Sequence, residues 1–143
     1  MQQKEDSSKR QFSFPKKERI CSKIILDRLL HKQQVIFTFP FKCYYDIEPC
    51  DSADTKNVMA VGVPKKRLKR AVDRNLMKRR IREAYRLNKH LIESLPAEHG
   101  KSATLFFVFV GNETLPFNFI NDKIILVLNR LLSDNIENID NKV

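Results

Sequence analysis

The chain has 143 residues, of which 42% are hydrophobic, and a formal net charge of +10. The length indicates one domain, and the apolar fraction is enough for a core, so the chain as a whole should not be disordered. The longest apolar stretch, Leu105 to Val110, is too short to span a bilayer, and the polar first residues do not resemble a signal peptide. We therefore expect a cytoplasmic protein with no membrane partner.

The first part of the chain predicts a tail, a helix and an interrupted strand. Residues 1–11 are polar and predict a flexible tail, which is followed by a single domain over residues 12–133. Apolar residues at helical spacing predict a helix from Glu18 to His31. Val35 to Tyr45 is rich in β-branched and aromatic residues, and Pro40 divides it into two short strands or one broken strand.

The rest of the chain predicts strands that alternate with helices. Turn-forming residues or prolines separate the elements, and each helix has apolar residues at helical spacing. This order favours an α+β domain in which helices pack against one small sheet. The elements are a polar loop over Asp46 to Lys56, a strand over Asn57 to Val63, a helix from about Ala71 to Leu91, a strand over Ala103 to Val110, a helix from Phe117 to about Ser133, and a flexible tail over 134–143.

The net charge is concentrated in residues 65–89. This segment holds twelve Lys and Arg residues and two acids, a net of +10 that equals the charge of the whole chain. On a helical wheel, most basic residues of the long helix lie on one side and its apolar residues on an adjacent side. Like charges along one face repel each other in the free protein, so the segment predicts a polyanionic partner. The basic arc contains Arg74, Asn75, Lys78, Arg79, Arg82, Arg86 and Lys89, whereas Arg80 falls outside it.

The order of residue types along this helix is a more specific signal than the positive charge of the helix. Residues 71–86 resemble the signature of the bacterial ribonuclease P protein component, and Val61 to Lys66 resemble the strand and Lys-Lys turn that precede it. In that family an Arg-Asn pair, a Lys-Arg pair and an Arg-Glu pair follow one another along the helix. The resemblance covers about Phe12 to Leu132. The three pairs are Arg74-Asn75, Lys78-Arg79 and Arg82-Glu83.

The resemblance implies a fold, a function, and an RNA subunit that carries out the catalysis. The fold is a small, mostly antiparallel sheet packed with helices, with a left-handed strand–helix–strand crossover. The partners are the catalytic RNA of ribonuclease P and precursor tRNA, whose 5′ leader is removed, and no obligate protein partner is evident. The chemistry and its magnesium belong to the RNA. The residues implied to bind the catalytic RNA are Lys65, Lys66, Arg70, Arg74, Asn75, Lys78, Arg79, Arg82 and Arg86.

A separate cleft, lined in the family by the first helix and the sheet, is implied to hold the leader. Single-stranded RNA is bound by aromatic faces together with cations. Strand alternation places Lys42 and Tyr44 on one face of the sheet, and only one face can be the cleft. The first helix has Leu26 and Leu30 where the family often has aromatic residues. The candidates are Phe12, Phe14, Lys42 and Tyr44, and the alternative for each aromatic residue is a place in the core.

Nuclease chemistry by the protein itself is not indicated by the sequence. The three histidines have no obvious carboxylate partners, and the acids of the predicted loop do not form a cluster for two metal ions. We therefore expect no catalytic or metal-binding side chain. Two alternative functions remain: a structural RNA-binding protein such as a ribosomal component, which would share the concentrated positive charge but not the leader cleft, and a metal-dependent nuclease in its own right. Crosslinking to ribosomal RNA would favour the first, and cleavage by the RNA-free protein would favour the second.

Overall fold

A computed structural model of the chain describes residues 23–32, 34–49, 57–93 and 100–140. No helix in these ranges is long and apolar enough to cross a bilayer. A 3₁₀ turn, Lys89–Ile92, follows the second helix. The other elements are α1 (Lys23–Lys32), β1 (Val35–Thr38), β2 (Phe41–Pro49), β3 (Val58–Gly62), α2 (Ala71–Asn88), β4 (Lys101–Phe109) and α3 (Phe117–Asp140).

The four strands form one mixed sheet in the order β1-β2-β4-β3. β1 pairs antiparallel with β2, and β2 pairs antiparallel with β4 along its whole length, from Phe41 opposite Phe109 to Pro49 opposite Lys101. β3 runs parallel to β4, and α2 makes the connection between these two strands. The predicted α+β architecture with a mostly antiparallel sheet is therefore confirmed.

The core lies between one face of the sheet and the helices α2 and α3. In β4, Phe107 is fully buried, whereas its neighbours Phe106 and Val108 are partly exposed, as strand alternation requires. The Phe107 ring lies 6.0 Å from the ring of Phe41 and 6.3 Å from that of Tyr85, measured between centroids. α3 closes the core with an apolar stripe at helical spacing. Its buried residues are Ile120, Ile124, Val127, Leu128 and Leu131.

The opposite face of the sheet, called the open face below, carries the side chains that alternate along each strand with those of the core. α1 lies over one end of this face, because Lys32 Nζ is 2.6 Å from a carboxylate oxygen of Asp46 and 3.6 Å from one of Glu48. Leu29 is the buried residue of α1 and is not part of the main core cluster. The open face includes Phe37, Lys42, Tyr44, Asp46, Glu48 and Phe106.

Several element ends differ from those predicted. β2 continues to Pro49, so Asp46 and Glu48 lie in a strand and not in the predicted loop, because β4 supplies backbone partners along their length. α3 continues to Asp140 instead of ending near Ser133, since no Pro or Gly interrupts the predicted tail before that point. α1 ends at Lys32, while its predicted start and the predicted N-terminal tail lie outside the described residues.

Candidate nucleic-acid interface

The long helix α2 packs on one side and presents cations on the other. Its buried residues Met77, Ile81, Ala84 and Tyr85 face the core. Tyr85 was missed as a packing residue by the sequence analysis, although its spacing of four from Ile81 is the signal for it. The polar residues Asn75, Arg79 and Arg82 are exposed, and Lys78 is partly exposed.

Two other arginines of α2 are bonded to neighbouring groups. Arg86 donates from Nε and Nη2 to the two carboxylate oxygens of Glu83, at 3.0 and 2.5 Å. This hydrogen bonding lowers the pKa of Glu83, which favours its ionised form, and the carboxylate offsets part of the Arg86 charge. Arg80 donates to the carbonyl oxygen of Leu115, which ties α2 to the segment before α3 and agrees with its place outside the basic arc.

The segment before α2, residues 65–70, is called the basic loop below. Leu68 is buried, and the backbone N–H groups of Arg67 and Leu68 both donate to the carbonyl oxygen of Pro64, at 3.0 and 3.3 Å. Arg74 of α2 donates from Nη1 to the carbonyl oxygens of Leu68 and Lys69. The loop is therefore anchored while its cations face outward. The exposed cations are Lys65, Lys66, Lys69 and Arg70.

An open groove of about 560 Å³ runs beside the basic loop and the start of α2. Cations outnumber acids along its walls, so the groove is electropositive. Arg67 reaches across it and donates to the side-chain oxygen of Asn112 at 3.4 Å. The charged residues that line it are Lys66, Arg67, Lys69, Arg70, Asp73 and Glu113.

Lys89 does not belong to the basic face, so that part of the helical-wheel prediction is wrong. It is only 6% exposed and lies in the 3₁₀ turn that follows α2. The α-helix ends at Asn88, whose backbone angles of −117° and 1° lie outside the α region, so the regular helical step is broken before Lys89 and no longer sets its direction.

The open face carries aromatic rings next to a cation. Tyr44 and Phe106 lie opposite each other on β2 and β4, with ring centroids 6.3 Å apart and planes inclined at 38°. Lys42 is exposed and lies opposite Phe37 of β1, which is 55% exposed. These side chains form a surface that offers both π faces and positive charge.

Two aromatic residues of this surface were missed by the sequence analysis. Phe37 and Phe106 both have the strand parity of the open face, and alternation from the buried neighbours Ile36 and Phe107 is the signal for them. Gly62 makes room for one of them, since a Cβ there would come within 3.0 Å of the Phe106 ring. The predicted cleft residues Phe12 and Phe14 lie outside the described residues.

The charge of the open face changes sign along β2. Lys42 stands toward its start, whereas Asp46 and Glu48 stand toward its end and share the ammonium group of Lys32. The hydrogen bond to Asp46 raises the pKa of Lys32, which strengthens the preference of this side chain for its charged form. In the described ranges, no three His, Cys, Asp or Glu residues come together in a way that could hold a metal ion.

Comparisons with known proteins identify the family. The model of the ribonuclease P family matches residues 14–131. A ribonuclease P protein component from Porphyromonas gingivalis is 34% identical over 109 residues, which cover 76% of this chain and 79% of that protein. The chain belongs to the bacterial ribonuclease P protein component family.

Other ribonuclease P proteins support the same assignment. The protein component from Idiomarina loihiensis is 62% identical over 34 residues, which are 24% of this chain and 27% of that protein. The structure of the Staphylococcus aureus ribonuclease P protein superposes with a TM-score of 0.58 at 22% identity, covering 80% of this chain and 94% of that one. The fold is therefore that of the ribonuclease P protein.

Membership of the family gives the function. The chain is the protein subunit of ribonuclease P, the endoribonuclease that matures the 5′ end of tRNA, and it associates with the ribonuclease P RNA. The predicted family and function are confirmed, and this decides against the ribosomal alternative.

Proposed function

We propose that this ribonuclease P protein binds the catalytic RNA through α2 and the basic loop, and the 5′ leader of precursor tRNA through the open face. The observation that carries the proposal is the exposure of cations along one side of α2, continuous with those of the loop. The proposed contacts are Lys65, Lys66, Arg70, Arg74, Asn75, Lys78, Arg79, Arg82 and Arg86.

Arginine suits the proposed RNA contacts better than lysine does. Its planar guanidinium matches two phosphate oxygens at once and stays charged at any physiological pH. If about six phosphates are neutralised, the logarithm of the binding constant should fall with the logarithm of salt concentration at a slope of roughly −4 to −5. The short amide of Asn75 can add a hydrogen bond to a phosphate or a ribose at the same face.

The proposed path of the leader follows the sign of charge on the open face. Tyr44 and Phe106 offer π faces on which bases can stack, and Lys42 offers a cation for the backbone. Asp46 and Glu48 at the other end would repel phosphates. We therefore place the leader toward the Lys42 end of β2.

Hydrolysis is assigned to the RNA subunit in this proposal. Magnesium, when bound by the RNA, supplies activation of the attacking water and stabilises the leaving oxygen. The residues of this chain neutralise phosphates and hold RNA in place, and we assign no proton transfer to them. The family resemblance further suggests a left-handed β3–α2–β4 connection, against the usual right-handed rule. We also propose the cytoplasmic location expected from the sequence.

Reconstitution tests the proposed function directly. The protein is added to its cognate catalytic RNA at low magnesium, and cleavage of precursor tRNA is measured. We expect faster cleavage, because protein cations then replace part of the screening that magnesium gives. No gain in cleavage would contradict the proposal, and cleavage by the protein without RNA would contradict the assignment of chemistry to the RNA.

The loss of RNA affinity caused by a single substitution on α2 should depend on whether the replaced arginine is already paired with an acid. Arg82→Ala should weaken binding to the catalytic RNA about five- to eightfold at 0.1 M salt, the effect of one phosphate contact. Arg86→Ala should weaken it less, because Glu83 already neutralises part of that charge. Filter binding or anisotropy measures both variants. A large fall in the melting temperature of Arg82→Ala would show instead that Arg82 is structural.

Removal of one ring from the open face should affect the leader alone. Tyr44→Ala should weaken binding of leader-bearing precursor tRNA to the holoenzyme by about 1–3 kcal/mol, the usual contribution of one stacked base. Tyr44→Phe keeps the ring and serves as the matched control. Affinities for precursor tRNA and for leader-free tRNA are compared in one titration. An equal loss for both substrates would place Tyr44 outside the leader path.

A further inference from the structure

Arg74 differs from the other arginines described on α2 because its guanidinium donates back to the segment that immediately precedes its own helix. Its Nη1 atom donates to the carbonyl oxygens of Leu68 and Lys69, at 3.0 and 2.9 Å. A terminal guanidinium nitrogen carries two protons, so both protons of Nη1 are used within the protein. Arg79 and Arg82, in contrast, are exposed to solvent.

The two bonds of Arg74 fall at the end of the basic loop. The start of that loop is already fixed, because two N–H groups donate to the carbonyl oxygen of Pro64 and the Leu68 side chain is buried. Beyond Leu68 the chain leaves the core, and Lys69 and Arg70 are exposed. Arg74 therefore contacts the loop at the point where burial no longer holds it.

The junction between the basic loop and α2 lacks an ordinary helix cap. Arg70 occupies the N-cap position with extended backbone angles of −85° and 129°, and its side chain makes no capping bond. Ser, Thr, Asp or Asn usually fixes this approach by accepting a hydrogen bond from the first turn. Here the bond runs the other way: Arg74 lies inside the helix, and its side chain donates to carbonyl groups of the loop before the helix.

We infer that Arg74 is a positioning residue, which holds the basic loop so that its cations and those of α2 meet the RNA as one surface. Lys69 and Arg70 line the electropositive groove beside this junction, so their placement depends on the loop. Loss of Arg74 therefore removes more than one phosphate contact. The RNA part of this inference rests on the proposed function, whereas the loop part concerns the free protein alone.

The first experiment uses the free protein without RNA. Amide hydrogen exchange is measured over residues 65–70 in the wild type, Arg74→Ala and Arg82→Ala, with circular dichroism to verify folding. Arg74→Gln, which keeps most of the aliphatic stem, replaces Arg74→Ala if that variant does not fold. We expect at least severalfold faster exchange in the loop for the Arg74 variant and wild-type exchange for Arg82→Ala. Unchanged loop exchange in the Arg74 variant overturns the inference.

The second experiment is a double-mutant cycle on binding to the catalytic RNA. Lys69→Ala is measured in the wild type and in the Arg74→Ala background. Positioning by Arg74 predicts that Lys69→Ala weakens binding severalfold in the wild type and much less in the second background. Additive effects mean that Arg74 is a simple phosphate contact and overturn the inference. If neither substitution nor Arg82→Ala changes binding, the proposed function fails, while hydrogen exchange still decides the loop part.

Discussion

Joint replacement of Lys78, Arg79 and Arg82 by alanine should weaken binding to the catalytic RNA roughly 100- to 500-fold at 0.1 M salt. Each phosphate contact releases about 0.7 to 0.9 of a counterion, so three contacts contribute two to nearly three powers of ten at that concentration. The salt dependence should become shallower by about 2 to 3 in logarithmic slope for the same reason. Equilibrium binding at several salt concentrations measures both quantities.

A variant with the same net charge controls for long-range electrostatics. Replacement of Lys101, Lys123 and Arg130 by alanine removes three cations that lie on β4 and α3 and belong neither to α2 nor to the basic loop. If only the total charge mattered, the two triple variants would lose affinity equally. We expect the control to keep a slope close to that of the wild type, because these cations lie outside the proposed contact surface. Equal slopes for both variants would contradict the proposed interface.

Element types could be predicted from the sequence because their signals are local. Pro40 separates β1 from β2, and the alternating or helical spacing of apolar residues identifies β4, α2 and α3. The extent of β2 could not be predicted, because Asp46 and Glu48 are polar and their strand conformation depends on pairing with β4. The strand order β1-β2-β4-β3 is non-local for the same reason, since it depends on contacts between segments distant in sequence.

The sequence could predict which cations of α2 face outward only where the helix keeps a regular period. A constant helical period places Asn75, Arg79 and Arg82 outward, and they are exposed. Lys89 departs from that period because the winding changes after Asn88. The bonds that Arg74 makes depend on how the basic loop approaches α2, and a helical wheel contains no information on a loop.

Substitution of Phe107 by alanine should cause a large loss of stability. The ring is fully buried between Phe41 and Tyr85, so its removal leaves a cavity that joins β2, β4 and α2. Such changes reduce the free energy of unfolding by about 3–5 kcal/mol. A domain of this size has about 5–15 kcal/mol in total, so the variant should unfold at a much lower temperature and denaturant concentration.

Phe106→Ala is the matched control, because it removes the same ring from the adjacent residue on the opposite face. That ring is partly exposed and contacts Tyr44, so its loss should reduce the free energy of unfolding by only about 1–2 kcal/mol. Its effect should appear instead in the affinity of the holoenzyme for leader-bearing precursor tRNA, with binding to the catalytic RNA unchanged. Phe107→Ala, measured at a temperature where it is still folded, should bind the leader normally. If Phe107→Ala weakened leader binding and Phe106→Ala did not, the leader would contact the Phe107 face of the sheet and not the open face.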